Sequence, residues 1–170
     1  MRYLIVVNGF AGSGKDTFCG YCEDYLYRKD KISLIKHSSD FAKTILFLMG
    51  WDGKKTPEIR KLLADIVAFG ESTGSNLKEL FGFIDRNEKL DVIFYHERNP
   101  KEIQQIVDYY KCDQEITVCT LFVKRDVNEA EKDRWGIQNF NYDIEVLNDG
   151  TLEDLEKAAK DVCDFWLKGE

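Results

Sequence analysis

The most informative segment of the sequence is Gly9-Phe10-Ala11-Gly12-Ser13-Gly14-Lys15-Asp16-Thr17. It follows a short run of apolar, β-branched residues at 3–7 and opens a segment whose apolar residues recur at helical spacing. A strand, a loop of the pattern G-x-x-x-x-G-K and a helix, in that order, are typical of a phosphate-binding loop. The alternative is a glycine-rich turn that only packs tightly between the strand and the helix.

The chemistry of such a loop explains these residue types. Glycines let successive backbone N–H groups turn inward around a β-phosphate, and the helix N-terminus adds partial positive charge. Lys15 supplies a mobile cation for the β and γ oxygens. We therefore expect ATP to be held by Gly9, Ala11, Gly12, Ser13, Gly14, Lys15, Asp16 and Thr17.

The residue after Lys15 departs from the usual motif. A Ser or Thr hydroxyl normally contacts Mg²⁺ at this position, whereas here the residue is Asp16 and the hydroxyl is displaced to Thr17. A carboxylate at this position can hold Mg²⁺ directly or through water, and Thr17 can reach the α-phosphate. Asp16 is therefore the predicted Mg²⁺ ligand, with a helix-capping role as the alternative.

Strand and helix patterns alternate along the chain. Runs typical of strands lie at 3–7, 32–35, 92–95, 116–123 and 144–147, and amphipathic helical patterns fill the intervals. Strands that alternate with helices require crossover connections, which imply a parallel sheet covered on both faces. We predict a single domain over 1–170 with the three-layer α/β fold of the P-loop NTPases and a five-stranded parallel sheet. A helical acceptor lobe is predicted at 38–90 and a short lid at 124–142.

Composition restricts the partners. The 170 residues include 31 acidic and 24 basic side chains, and the formal net charge of −7 disfavours a broad surface for nucleic-acid backbones. No apolar stretch approaches the roughly 20 residues of a membrane-spanning helix, and the N-terminal apolar run is too short for a signal peptide. We therefore expect a cytoplasmic monomer or homodimer with no nucleic-acid or membrane partner. The five cysteines are expected to be reduced, and core packing explains Cys19 and Cys22 better than zinc binding does.

Several further segments carry a resemblance to a known family. They are Gly50-Trp51-Asp52-Gly53, Arg60-Lys61-Leu62-Leu63, Arg98-Asn99-Pro100-Lys101-Glu102, and the ending from Tyr142-Asp143-Ile144 to Asn148-Asp149-Gly150-Thr151-Leu152. With the Gly-Lys-Asp-Thr of the loop, they resemble the phage-type deoxynucleoside monophosphate kinases. The last segment is also similar to many nucleoside monophosphate kinases and dephospho-coenzyme A kinases. The resemblance implies a P-loop kinase with ATP and Mg²⁺ as cofactors and a nucleoside monophosphate as acceptor.

Two positions differ from the pattern of that family. His96 stands where the family has Asp, and Lys101 stands where it has Asn. The family Asp lies near the metal, so its replacement removes an acid from that region. Glu97 and Asp91 are the acids in the same segment that could compensate for it.

Phosphoryl transfer needs positioning, Mg²⁺ and cations around the transferring group. Arg98 follows a predicted strand at the sheet edge where open α/β folds bind ligands, so we expect it to contact the acceptor phosphate or the transferring group. Arg60 can grip the acceptor phosphate with two hydrogen bonds, and Asp40 can contact the sugar or magnesium. The alternatives are surface ion pairs for the two arginines and a helix N-cap for Asp40.

The charged segment after the fourth predicted strand is typical of a short mobile lid. Lys124, Arg125 and Arg134 flank its acidic run. A lid brings cations over the phosphates and excludes water, which suppresses hydrolysis. The predicted catalytic residues are thus Lys15, Arg98, Arg125 and Arg134, and a solvated charged helix is the alternative for the lid.

These features together predict an ATP-dependent kinase that transfers the γ-phosphate to a (deoxy)nucleoside monophosphate. One alternative with the same fold is a kinase of another small phosphorylated metabolite, of the phosphomevalonate or dephospho-coenzyme A type. The alternative from a different class is a non-catalytic nucleotide-binding protein. ADP formation that depends on an acceptor distinguishes the kinases from the binding protein.

Overall fold

The computed structural model describes residues 1–126 and 137–168. Its strands are β1 (Arg2–Asn8), β2 (Ser33–His37), β3 (Val92–His96), β4 (Ile116–Lys124) and β5 (Ile144–Leu147). Its helices are α1 (Lys15–Tyr27), α2 (Asp40–Leu48), α3 (Pro57–Thr73), α4 (Ser75–Arg86), α5 (Pro100–Tyr110) and α6 (Leu152–Leu167), and a 3₁₀ turn lies at Ile137–Asn139. The five strands follow the predicted order, with three helices between β2 and β3 and, among the described residues, a 3₁₀ turn between β4 and β5.

The strands form one five-stranded sheet in the order β2-β3-β1-β4-β5. The central strand, β1, pairs in parallel with β3, where Tyr3 faces Val92, and with β4, where Arg2 faces Ile116. β4 pairs in parallel with β5. The predicted α/β fold with a five-stranded parallel sheet is therefore confirmed. The glycine-rich loop leaves the carboxyl end of the central strand, the edge at which open α/β sheets bind ligands.

Polar residues extend three strands by one position beyond their predicted ends. Asn8, His96 and Lys124 all remain in register with a neighbouring strand. The pairing comes from backbone groups of strands far away in the sequence, so a polar side chain at the strand end does not interrupt it. These extensions bring Asn8 and His96 to the sheet edge from which the loop departs.

Helices α1 and α6 build the core on one face of the sheet. Phe18 and Leu26 of α1 and Ala159 and Trp166 of α6 are buried against strand side chains. These strand residues are Tyr3, Ile5, Val7, Val92, Phe94, Leu121, Val123 and Val146. The free thiols of Cys19, Cys22 and Cys163 lie in the same core. Packing therefore accounts for the C-x-x-C pair.

Helix α5 contacts β4, and its Ile103 and Ile106 are fully buried. Leu4 and Val6 of β1 are buried too, and they alternate with the residues that face α1 and α6. Since successive strand side chains point to opposite faces, Leu4 and Val6 belong to the second face. Helices thus cover both faces of the sheet, as the three-layer prediction requires.

Helix α6 begins with a capping box formed by Thr151 and Asp154. Thr151 accepts the Asp154 N–H at 3.2 Å, and the Asp154 carboxylate accepts the Thr151 N–H at 2.9 Å. This reciprocal capping box satisfies two N–H groups that a helix start leaves without partners. Among the described residues, none of the helices combines the length and apolar character that crossing a bilayer requires.

The chain divides into two compact units, Met1–Ile35 with Lys89–Glu170 and, separately, Lys36–Glu88. The second unit contains α2, α3 and α4 and has a small core of its own, formed by Ala42, Leu46 and Leu63. Gly74, with φ 68°, ends α3 and begins α4. The extents given above for a helical lobe and a lid stay predictions.

Candidate functional site

Glycines shape the loop between β1 and α1. Gly12 has φ 76° and Gly14 has φ 89°, a left-handed backbone that costs a residue with a Cβ roughly 1–2 kcal/mol. Gly14 is the N-cap of α1, so the loop runs directly into the helix N-terminus. The Ser13 N–H donates to the Phe10 carbonyl at 3.1 Å, which closes the turn. The geometry is that of a loop that presents backbone N–H groups and a helix N-terminus to an anion.

Lys15 is the first residue of α1 and is only 8% exposed. Its Nζ lies 3.4 Å from the carbonyl oxygen of Phe10, so the side chain folds back over the loop. A lysine in this position holds its charge beside the loop that is predicted to bind phosphate. The arrangement fits the predicted contact of Lys15 with phosphate oxygens.

Two asparagines that the sequence analysis did not select hold the loop in place. The Asn8 side chain accepts the Gly9 N–H at 2.7 Å and donates to the Tyr142 hydroxyl at 2.8 Å. The Asn148 side chain donates to the Ser13 carbonyl at 2.8 Å, and the backbone N–H of Asn148 donates to the Lys124 carbonyl at 2.7 Å. Asn8 is the last residue of β1 and Asn148 directly follows β5, both at the edge where open α/β sheets bind ligands. That position is the signal that could have identified them.

Asn148 also explains why position 14 requires glycine. A Cβ on Gly14 would collide with the amide nitrogen of the Asn148 side chain. No such neighbour surrounds Gly12, where a Cβ would meet open space. The two glycines therefore share a left-handed backbone but differ in their surroundings, so close packing against Asn148 is specific to Gly14.

Asp16 and His96 face each other beside the loop. His96 Nδ1 lies 3.0 Å from Asp16 Oδ1, and His96 Nε2 lies 3.3 Å from Cys19 Sγ. The His96 side chain is 5% exposed, whereas that of Asp16 is 74% exposed. Burial raises the pKa of the Cys19 thiol well above its usual range, and the Asp16 carboxylate raises it further. Cys19 is therefore a neutral thiol at physiological pH.

The donor atoms at Asp16 fit a magnesium ion. The carboxylate is exposed and lies in the first turn of α1, directly after Lys15. Hard carboxylate oxygens are the ligands that Mg²⁺ prefers, and it commonly uses one or two of them together with phosphate oxygens. Thr17 follows in the same exposed turn. Asp16 is thus suited to the predicted role, although no hydroxyl occupies its position.

The turn after β3 fixes the backbone at Arg98. Buried Glu97 accepts the N–H groups of Arg98 at 2.7 Å and of Asn99 at 2.8 Å through Oε1. The Arg98 side chain is exposed. Asp91 lies at the opposite end of the strand, where it accepts the Ile32 N–H at 2.7 Å. Of the two acids that could compensate for His96, only Glu97 is therefore at the carboxyl edge.

Of the two arginines predicted to act from the lid, only Arg125 lies among the described residues. Arg125 is exposed and follows β4, so it leaves the sheet at the same carboxyl edge as the loop. Arg134 and positions 127–136 of the predicted lid lie outside the described residues. The catalytic roles of both arginines remain predictions.

Arg60 and Asp40 belong to the second unit. Arg60 is exposed on the first turn of α3. Asp40 accepts the His37 N–H at 2.8 Å and the Lys43 ammonium at 2.7 Å. Burial favours a higher pKa for the Asp40 carboxyl, but the hydrogen bonds from Lys43 and His37 outweigh it and lower the pKa. Asp40 is therefore a charged residue at the start of α2, and contact of either residue with a substrate remains a prediction.

Comparisons with known proteins bear on the fold. No protein-family model matches the sequence, and no curated protein matches it. The APS kinase CysC of Mycobacterium tuberculosis, in complex with AMPPNP and APS, superimposes with a TM-score of 0.60 and 14% identity over 97% of this chain and 97% of that chain. A cysteine-to-alanine mutant of the same enzyme gives a TM-score of 0.57 and 14% identity over 97% and 96% of the two chains. A sugar kinase from Janibacter sp. HTCC2649 gives only 0.48, with 14% identity over 99% and 95%.

At 14% identity, the superposition with APS kinase is evidence about the fold alone. It extends over nearly the full length of both proteins, so the sheet and its helices are shared, not just the loop motif. It does not distinguish the phage-type deoxynucleoside monophosphate kinases from other P-loop kinases. The sheet order, the glycine-rich loop after the central strand and these matches together show that the chain has the fold of the P-loop kinases.

Proposed function

We propose that this chain is an ATP-dependent kinase that transfers the γ-phosphate to a (deoxy)nucleoside monophosphate. The observation that carries the proposal is the loop at the carboxyl end of β1, with left-handed Gly12 and Gly14 and nearly buried Lys15 at the start of α1. The shared fold of an APS kinase that binds AMPPNP, an ATP analogue, together with APS supports a nucleotide donor and a second small ligand.

The donor side consists of groups that bind and orient phosphates. Backbone N–H groups of the loop and the N-terminus of α1 bind the β-phosphate, and the Lys15 ammonium reaches the β and γ oxygens. Asp16 would hold Mg²⁺, which when bound neutralises negative charge on the phosphate oxygens. Asn8 and Asn148 keep the loop in this conformation through their hydrogen bonds to Gly9 and Ser13.

The acceptor side relies on arginines. Arg98 follows β3, the strand beside β1, and its exposed guanidinium can bind a phosphate with two charge-assisted hydrogen bonds. Arg60 is proposed to hold the acceptor phosphate, and Asp40 to contact its sugar. Arg125 and Arg134 are proposed to stabilise the transferring group and to close the site against water, because a phosphoryl group in transfer develops charge that cations stabilise.

Two other functions use the same donor site. A kinase of a different small phosphorylated metabolite would share the fold and the loop. His96 favours a non-catalytic nucleotide-binding protein, because the family that the sequence resembles has an acid at this position. A non-catalytic binding protein would bind nucleotide without turnover. The acceptor therefore has to be identified by assay.

The test is ADP formation measured by a coupled assay with ATP, Mg²⁺ and a panel of acceptors. The panel contains the ribo- and deoxyribonucleoside monophosphates, APS, phosphomevalonate and dephospho-coenzyme A. Lys15→Ala should abolish turnover, because the cation beside the β and γ oxygens is lost. The matched control is Lys29→Ala, which removes an exposed lysine beyond the other end of α1. Unchanged turnover in folded Lys15→Ala protein would refute the kinase assignment. So would a wild-type protein that binds ADP but turns over no acceptor of the panel.

A further inference from the structure

His96 connects the end of β3 to the first turns of α1. Its two ring nitrogens lie 3.0 Å from the Asp16 carboxylate and 3.3 Å from the Cys19 thiol. Asp16 and Cys19 are three residues apart on α1, a spacing that brings side chains to the same helix face. The imidazole thus contacts the face of α1 that adjoins the loop, and it does so from a side chain that is 5% exposed.

The two side chains that His96 contacts differ in how freely they can move. Cys19 is fully buried in the core and Asp16 is 74% exposed. An exposed aspartate samples several rotamers in water, and ordering it for a ligand costs side-chain entropy. A buried imidazole held on one side by Cys19 offers a fixed contact for one carboxylate oxygen, Oδ1. A carboxylate has a second oxygen with its own lone pairs, which remains suited to a cation.

We propose that His96 is a positioning residue that orients the Asp16 carboxylate for the divalent cation bound with the nucleotide. This inference rests on the proposed function, because it assumes that Asp16 faces a nucleotide and its metal. His96 itself touches neither the metal nor the phosphates in this scheme. It acts through Asp16, as residues behind a metal ligand commonly do, and loss of such residues typically reduces metal affinity about 10- to 100-fold.

The test measures ADP affinity by calorimetry with and without Mg²⁺, since the ratio of the two dissociation constants reports the metal alone. His96→Leu keeps a side chain of similar size without a polar contact. It should reduce the Mg²⁺ enhancement of ADP binding about 10-fold or more, with Mg²⁺-free ADP affinity little changed. His96→Asn carries an amide nitrogen close to the position of Nδ1 and should recover most of the enhancement.

A double-mutant cycle with Asp16→Ala separates positioning from general packing. If His96 acts through Asp16, then His96→Leu has no further effect on the Mg²⁺ enhancement once Asp16 is alanine. An equal effect in both backgrounds, or a loss of ADP affinity that is the same with and without Mg²⁺, would overturn the proposal.

A ligand-free measurement keeps this inference distinct from the proposed function. The shifts in Tm for His96→Leu and Asp16→Ala should not add in the double variant, because the two side chains are in contact. Additive shifts would show that the contact is absent and would refute the positioning role directly. A wild-type protein that does not bind ADP would instead refute the proposed function, and the metal role of His96 with it.

Discussion

Replacing Gly14 by alanine tests how the loop is held. The backbone at Gly14 has φ 89°, and a Cβ there costs roughly 1–2 kcal/mol. The new Cβ would also displace the Asn148 side chain, which donates to the buried Ser13 carbonyl at 2.8 Å. A buried acceptor left without its donor costs about 1–3 kcal/mol. The expected loss of unfolding free energy is therefore roughly 2–5 kcal/mol.

Gly12→Ala is the matched control, because Gly12 has φ 76° and nothing near the added Cβ. Its free energy of unfolding should fall by only the roughly 1–2 kcal/mol that the strained backbone costs. The assay is urea denaturation of both variants, with the free energy of unfolding extrapolated to water. ADP affinity, measured on the folded proteins, should fall further for Gly14→Ala than for Gly12→Ala.

The contribution of Asn148 can be isolated by removing it. In an Asn148→Ala background the amide is gone, so Gly14→Ala should cost no more than Gly12→Ala does in the wild type. Equal destabilisation by the two alanine substitutions in the wild-type background would refute the reasoning. So would a cost of Gly14→Ala that is unchanged when Asn148 is alanine.

Two further predictions concern the acceptor and the buried thiol. Arg98→Ala and Arg60→Ala should each reduce kcat/KM for the acceptor about 10- to 100-fold, since each removes charge-assisted hydrogen bonds of roughly 1.5–3 kcal/mol. ATP affinity should stay within a few-fold of wild type. Wild-type acceptor kinetics in both variants would show that the acceptor site lies elsewhere. Iodoacetamide at pH 7 to 8 should modify exposed Cys112 and spare Cys19, because burial and the Asp16 carboxylate raise the Cys19 pKa and keep its reactive thiolate scarce. Peptide mass spectrometry measures both sites, and equal modification of the two would contradict this view of Cys19.

The sequence predicts the strands well where packing alone determines them. The apolar, β-branched residues of β1 and β3 are buried in the sheet, so their pattern follows directly from burial. The strand ends escape prediction, because Asn8, His96 and Lys124 are polar and are held by backbone pairing with distant strands. Local propensity contains no information about such partners.

The residues of the candidate site also divide into those that the sequence predicts and those that it does not. The loop from Gly9 to Thr17 is predictable, because its chemistry is contiguous in the sequence. The contact between Asn148 and Ser13 spans 135 positions, and that between His96 and Asp16 also joins distant segments. Such pairs exist only once the sheet is assembled. Sequence reasoning could mark His96 as unusual, but not its contacts with Asp16 and Cys19.

The parallel order of the sheet also determines when during folding the loop can reach its final conformation. The central strand pairs with β3 and β4, whose residues follow it by about ninety and more than a hundred positions. Contacts of such long separation close large chain loops and tend to slow folding. A chain emerging from the ribosome must extend past Asn148 before Ser13 gains the donor of its buried carbonyl. The complete loop conformation should therefore form only after β4 and β5 are in place, although the loop precedes both strands in the sequence.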